Sequence, residues 1–137
     1  MRFLLSALAL LLGSAGGAMA ADCGRPTTIQ IDPGASSTTV ASGPPSEMID
    51  CYQVTAAAGQ RLSVAIAGDE NDAVFAVFAP GWQATCTALG DCDVNGDQLS
   101  DDEATTWSDS APTAGAYLIV VDNSRSDAEY KLTVGVR

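Results

Sequence analysis

The sequence contains no histidine and a single lysine, Lys131. Without histidine, the usual general base of Ser-His-Asp and Cys-His nucleophile systems is missing, and most acyl-transfer chemistry goes with it. Zinc loses its commonest nitrogen ligand too, and the four cysteines show neither C-x-x-C nor paired-knuckle spacing. Positive charge is scarce: six Lys and Arg stand against seventeen Asp and Glu, and none of the six falls between Arg61 and Arg125. Phosphate is neutralised by clustered cations, so neither nucleic acid nor anionic membrane suits this chain as a partner. Cations, basic proteins and neutral glycans remain.

After the first residues there is no long apolar run, and so no expected transmembrane span. The first residues read as a secretory signal: Arg2, an apolar run from Phe3 to Leu12, and the small-residue ending Ala18-Met19-Ala20. Cleavage is expected after Ala20. Asp22, not a small residue, precedes Cys23, which argues against lipid attachment and for a freely soluble product, secreted or periplasmic. Removing 20 residues from 137 leaves 117, one domain with chain enough for a single core, at 5 basic minus 17 acidic residues, or −12. Four cysteines in such an exported chain fit two disulfides. Three pairings are possible; the short Gly90-containing spacer favours Cys86 with Cys92, leaving Cys23 with Cys51.

Helical periodicity is weak, whereas period-two alternation recurs. Ile29 and Ile31, then Ser36 to Val40, read as short outer strands, separated from Tyr52 and Val54 by a turn at Ser42 to Ser46. Leu62, Val64 and Ile66 alternate with Ser63, Ala65 and Ala67 after the turn Ala58-Gly59-Gln60. Gly68 to Asp72 forms an acidic turn, and Ala73 to Phe78 is apolar enough for a central strand covered on both faces. Ala104 to Ser108, Tyr117 to Val121 and Tyr130 to Val136 complete about eight strands. Many short strands with Gly, Pro, Asn and Asp between them predict an all-β, antiparallel two-sheet sandwich of jelly-roll-like type. The stretch from Trp82 to Glu103 is expected to be a long loop, pinned by a disulfide.

That loop carries Asp91, Asp93, Asp97, Asp101, Asp102 and Glu103 without a basic residue. Alternating oxygens from Asp93, Asn95 and Asp97, with Asp101 beyond and Leu99 as an apolar anchor, resemble an EF-hand or dockerin-type calcium loop. The spacing is one residue short after Asp97; a register starting at Asp91 places Gly96 well and Leu99 badly. Calcium is therefore the expected cofactor, set against the plain alternative of Asp, Asn and Gly as soluble turn formers. A second, weaker cluster at Asp69, Glu70, Asn71 and Asp72 reads as a turn only. Paired-carboxylate glycoside hydrolysis needs a shielded carboxyl of raised pKa, and these acids lie among Gly, Ser and Asn.

Ala58-Gly59-Gln60-Arg61-Leu62-Ser63-Val64, Asp72 to Phe78, Ala114-Gly115-Ala116-Tyr117 to Asp122 and Tyr130-Lys131-Leu132-Thr133-Val134 follow the order and spacing of the bacterial pre-peptidase C-terminal domain. From Tyr52 to Val136 the chain resembles a cysteine-bearing version of it, with Cys86, Cys92 and Asp93 as the cysteine element. Ala128-Glu129 departs from the Gly often found before the last Tyr. The resemblance implies a non-catalytic jelly-roll-like sandwich that aids secretion, stability or attachment of extracellular proteins to polymers. The alternative is a secreted inhibitor or escort of an extracellular hydrolase, so the expected partner is an extracellular protein or a polysaccharide. Trp82 and Trp107 are expected to close the sandwich, and Tyr52, Tyr117 and Tyr130 to start strands with their hydroxyls at the rim.

Overall fold

The computed structural model describes residues 23–41, 49–68, 73–88, 92–123 and 129–137. The expected signal segment, the Ser42 to Ser46 turn, the acids at 69–72, and Gly90 and Asp91 lie outside them. Among the described residues there are ten strands and no helix. They are β1 (Thr27–Thr28), β2 (Ser37–Ala41), β3 (Ile49–Ala56), β4 (Arg61–Gly68), β5 (Ala73–Phe78), β6 (Gln83–Cys86), β7 (Cys92–Asn95), β8 (Thr106–Ser110), β9 (Gly115–Asn123) and β10 (Tyr130–Val136).

One sheet runs β1-β3-β9-β5, the other β2-β10-β4-β8, and β6-β7 form a separate hairpin. Apart from the two-residue parallel pair β1·β3, all pairing is antiparallel. The pairing is also nested: β2 lies on β10, β3 on β9 and β4 on β8. The innermost strand, β5, is met by the segment 97–104 through bridges at Phe75↔Ala104 and Phe78↔Gln98. The chain is thus one long hairpin rolled into two layers, the jelly-roll arrangement. Its folded-back tip is the acidic stretch.

The alternation read from the sequence becomes the core. Tyr52, Val54, Phe75, Val77, Tyr117, Ile119 and Val121 of one sheet face Leu62, Val64, Leu132 and Val134 of the other, all buried. At about 25 cal/mol per Å² of apolar area, each such side chain contributes roughly 1.5–3 kcal/mol. The opposite face of the β3-β9-β5 layer is apolar as well. Cys51, Phe78 and Leu118 there form a second cluster with Cys23, covered by Trp82, Ala84, Cys86, Cys92 and Val94. The disulfides are Cys23–Cys51 and Cys86–Cys92, the latter closing β6 onto β7.

Three expectations need correction. The stretch from Trp82 to Glu103 contains a hairpin, so the count is ten strands and not about eight; Ala84 and Val94 supply the alternation that the neighbouring acids obscured. β5 has both faces covered but is the last strand of its ladder, and the 97–104 segment takes the place of a neighbouring strand. The hydroxyls of Tyr52 and Tyr130 are not at the rim, since they meet inside the sandwich.

Candidate functional site: the acidic edge and the loop end

The 97–104 segment is held to β5 by main-chain bonds. Ala79 N donates to Asp97 O at 2.9 Å, Leu99 N to Val77 O at 2.8 Å, and Phe75 and Ala104 exchange bonds at 2.9 and 3.1 Å. Val77 N finds the Ser100 hydroxyl at 2.9 Å, so each of these amides has an acceptor although no regular strand is present. Leu99 and Ala104 pack on the core, and Asp97, Asp101, Asp102 and Glu103 are turned to solvent. Gln98 Nε2 fastens the turn, donating to Ser100 O at 2.9 Å and to Asp102 Oδ1 at 2.7 Å. The result is a row of carboxylates on a fixed backbone along one edge of the sandwich. Fixed charge of one sign steers and selects a partner of the other.

The residues expected to hold calcium divide between two environments. Asp93 and Asn95 are exposed in β7, opposite Thr85 and Gln83, while Val94 and Cys92 face inward. Alternate residues of an extended strand stand about 6–7 Å apart, whereas a calcium loop curls its oxygens to within about 2.3–2.6 Å of one ion. Asp97 and Asp101 follow on the β5 edge. Among the described residues, no three Asp, Glu or Cys side chains form a group placed to hold a metal. Leu99 does serve as an apolar anchor, with the sandwich core as its seat.

Asp97 leads to the end of the sandwich where the loops 57–60, 79–82 and 111–114 meet. Gly59 N donates to Ala111 O at 2.9 Å, and Ala111 N to Gln60 O at 2.7 Å. Tyr117, fully buried, donates its hydroxyl to Thr113 O at 2.5 Å and receives Thr113 N at 3.2 Å. Trp82 Nε1 reaches Ala116 O at 3.1 Å. Gly115 has φ +145° and faces Pro80, whose Cβ would lie 2.8 Å from any added Cβ, so only glycine fits. The exposed tip Pro112-Thr113-Ala114 is therefore held in one shape beside the acidic edge. The sequence offered little warning of this, because the Tyr117–Thr113 bond is a tertiary detail of an ordinary-looking turn.

At the other end, Tyr130 donates to Asp50 Oδ2 at 2.5 Å, and the Tyr52 and Tyr130 hydroxyls are 2.7 Å apart. Asp50 is only 7% exposed. Burial holds the Tyr130 phenol far above its ordinary value, and its bond to Asp50 adds to the effect. The Tyr52 phenol is raised by burial, partly offset by its bond to Tyr130. This chain joins β3 of one layer to β10 of the other and serves as a cross-tie.

No protein-family model matches the chain, and no curated protein does. Solved structures do share the fold. The chain is similar to Aeromonas hydrophila PliG, a periplasmic lysozyme inhibitor of g-type lysozyme, at 27% identity and a TM-score of 0.54, covering 82% of this chain and 96% of that one. A PliG-Ec mutant from Escherichia coli, 18% identical, gives a TM-score of 0.55, covering 82% and 97%. Salmonella Typhimurium PliG, 20% identical, gives 0.52 with the same coverages. Both are likewise described as periplasmic inhibitors of g-type lysozyme. The last two likenesses speak for the fold alone.

Proposed function

We propose that the chain is an exported, periplasmic or secreted protein without catalytic activity of its own that inhibits a cell-wall hydrolase, with a g-type lysozyme as the first target to test. The observation that carries this reading is the match along 96% of an inhibitor of that enzyme class at 27% identity. The architecture supports it: a preshaped loop end loses little freedom on docking, and the acidic edge beside it suits a basic enzyme surface. Inhibition is by occlusion, one inhibitor per enzyme. The accessory-module function expected from the pre-peptidase resemblance takes second place, and calcium at Asp93, Asn95, Asp97 and Asp101 remains a proposal carried by the motif alone.

The test is clearing of a bacterial cell-wall suspension by a g-type lysozyme titrated with the purified chain. Inhibition saturating at one equivalent is the expected result. Neutralising Asp97, Asp101, Asp102 and Glu103 to their amides should slow association about tenfold or more at low salt and little at high salt. Undiminished lysis at a large excess of the chain would refute the reading.

A further inference from the structure

The β2-β10-β4-β8 sheet has one face in the core and one in solvent, and its outward positions differ from the rest of the surface. The register lines up Thr39, Thr133, Ala65 and Thr106 in one row across the strands and Ser37, Gly135, Ser63 and Ser108 in the next, three hydroxyls in each row of four. Strands lie about 4.8 Å apart, so the rows form a flat grid of hydroxyls. The Thr39 and Thr133 hydroxyls are already bonded to each other at 3.0 Å. Between the rows runs an open depression of about 470 Å³, with Val64 and Trp107 at its floor and Ser63, Ala65, Thr106, Ser108 and Thr133 along its sides.

Charge is segregated as sharply. In a chain with seventeen acids, none occupies an outward position of these four strands. Asp109, the single acid within them, pairs with the buried Leu62 and so lies off the outward rows, although it is exposed on the edge strand β8. Cations stand at both ends of the grid: Lys131 lies opposite Ala67 at one end, with the exposed Glu129 beyond it, and Arg61 begins β4 at the other. Six residues of strand separate those ends, roughly 20 Å at about 3.3 Å per residue. Ser63 and Ala65, half-buried in mid-strand, are poorer strand formers than Val, Ile or Thr, so strand propensity alone does not account for the choice.

We infer that this face is a second binding surface, fitted to a glycan chain carrying sparse negative charge. Hydroxyl rows donate to and accept from sugar hydroxyls in either direction, and a carboxylate-free floor does not repel the occasional acid of such a polymer. Lys131 and Arg61 meet those acids at the two ends. A basic protein would be drawn to the acidic edge instead, and the apolar floor of the depression, Val64 and the half-buried Trp107, is a narrow strip flanked by hydroxyls, which suits the face of a sugar ring. The inference goes beyond the inhibitor reading, since it uses a different face.

The experiment is sedimentation of the purified chain with insoluble peptidoglycan sacculi, with no lysozyme present. The wild type is expected in the pellet. Thr133→Glu puts a carboxylate mid-grid and should weaken retention at least about fivefold. Thr39→Val with Thr106→Val keeps strand propensity, removes two hydroxyls and should weaken it comparably, which guards against a folding defect in the first variant. Asp101→Asn with Asp102→Asn should pellet like the wild type. Wild-type protein left in the supernatant, or both face variants pelleting normally, overturns the inference. Lysozyme inhibition in solution should be unchanged in the face variants; its loss in them would overturn the assignment of this face as a second surface, whereas wild-type chain that fails to inhibit refutes the inhibitor reading alone.

Discussion

Tyr130→Phe deletes the hydroxyl that donates to Asp50 and meets that of Tyr52. A hydrogen bond to a charged group contributes about 1.5–3 kcal/mol, and one between neutral groups about 1. Tyr52→Phe leaves the Tyr130–Asp50 bond in place and so should cost about 1 kcal/mol, against about 2–3 for Tyr130→Phe. At about 4 °C per kcal/mol for a domain of this size, the expected falls in Tm are about 4 °C and about 8–12 °C. Alkali supplies an independent arm. Both phenols are raised in the folded state. The folded chain therefore keeps protons that the unfolded chain releases near pH 10, and stability falls as pH rises above that value. Each tyrosine contributes a slope of up to about 1.4 kcal/mol per pH unit, and Tyr130→Phe should make the fall shallower. Urea unfolding from about pH 8 to about pH 11, followed with the ultraviolet tyrosinate band, measures both. Equal costs for the two variants, or ionisation of Tyr52 and Tyr130 near pH 10 in the folded protein, would refute the cross-tie.

Leu99→Ala should cost about 1–2 kcal/mol, at the low end for a Leu because the site is partly buried, and should speed hydrogen exchange at Phe75, Ala79 and Ala104 more than at Leu118. Cys86→Ser with Cys92→Ser opens a small ring and should lower stability by about 2 kcal/mol in a denaturant titration. The calcium proposal expects Tm to rise with added calcium and that rise to vanish in Asp93→Ala with Asp97→Ala. An unchanged midpoint would leave these acids as an exposed charged face.

Fold class was legible because burial imposes period two on every core strand, and Leu62-Ser63-Val64 and Tyr130-Lys131-Leu132 show it plainly. The hairpin β6-β7 was not. Its inward residues, Ala84 and Val94, are few, and Asp93, Asn95 and Gly96 around them carry turn chemistry that outweighs so short a pattern. Nothing in the residues around Asp50 marks it as buried. Its burial depends on Tyr130, eighty residues later, a pairing that no local window contains. Within the acidic run, which residues lie on β7 and which on the segment bridged to β5 depends on pairing with Gln83–Cys86 and with Phe75 to Ala79, and no local window contains those partners. The hydroxyl face was written in the same alternation as the core, but cross-strand register decides which Ser and Thr become neighbours.

The nested pairing has a kinetic consequence. Bringing β2 to β10 from a random coil would close a loop of more than ninety residues, a slow, entropically costly search. Each inner pair that forms shortens the next search, so assembly should progress from the β6-β7 turn outward like a zip. The Cys86–Cys92 bond sits near its starting point. An exported chain that oxidises there first would hold the seed of its own structure before the distant ends have met, and φ values highest near β5 and lowest in β2 would be its signature.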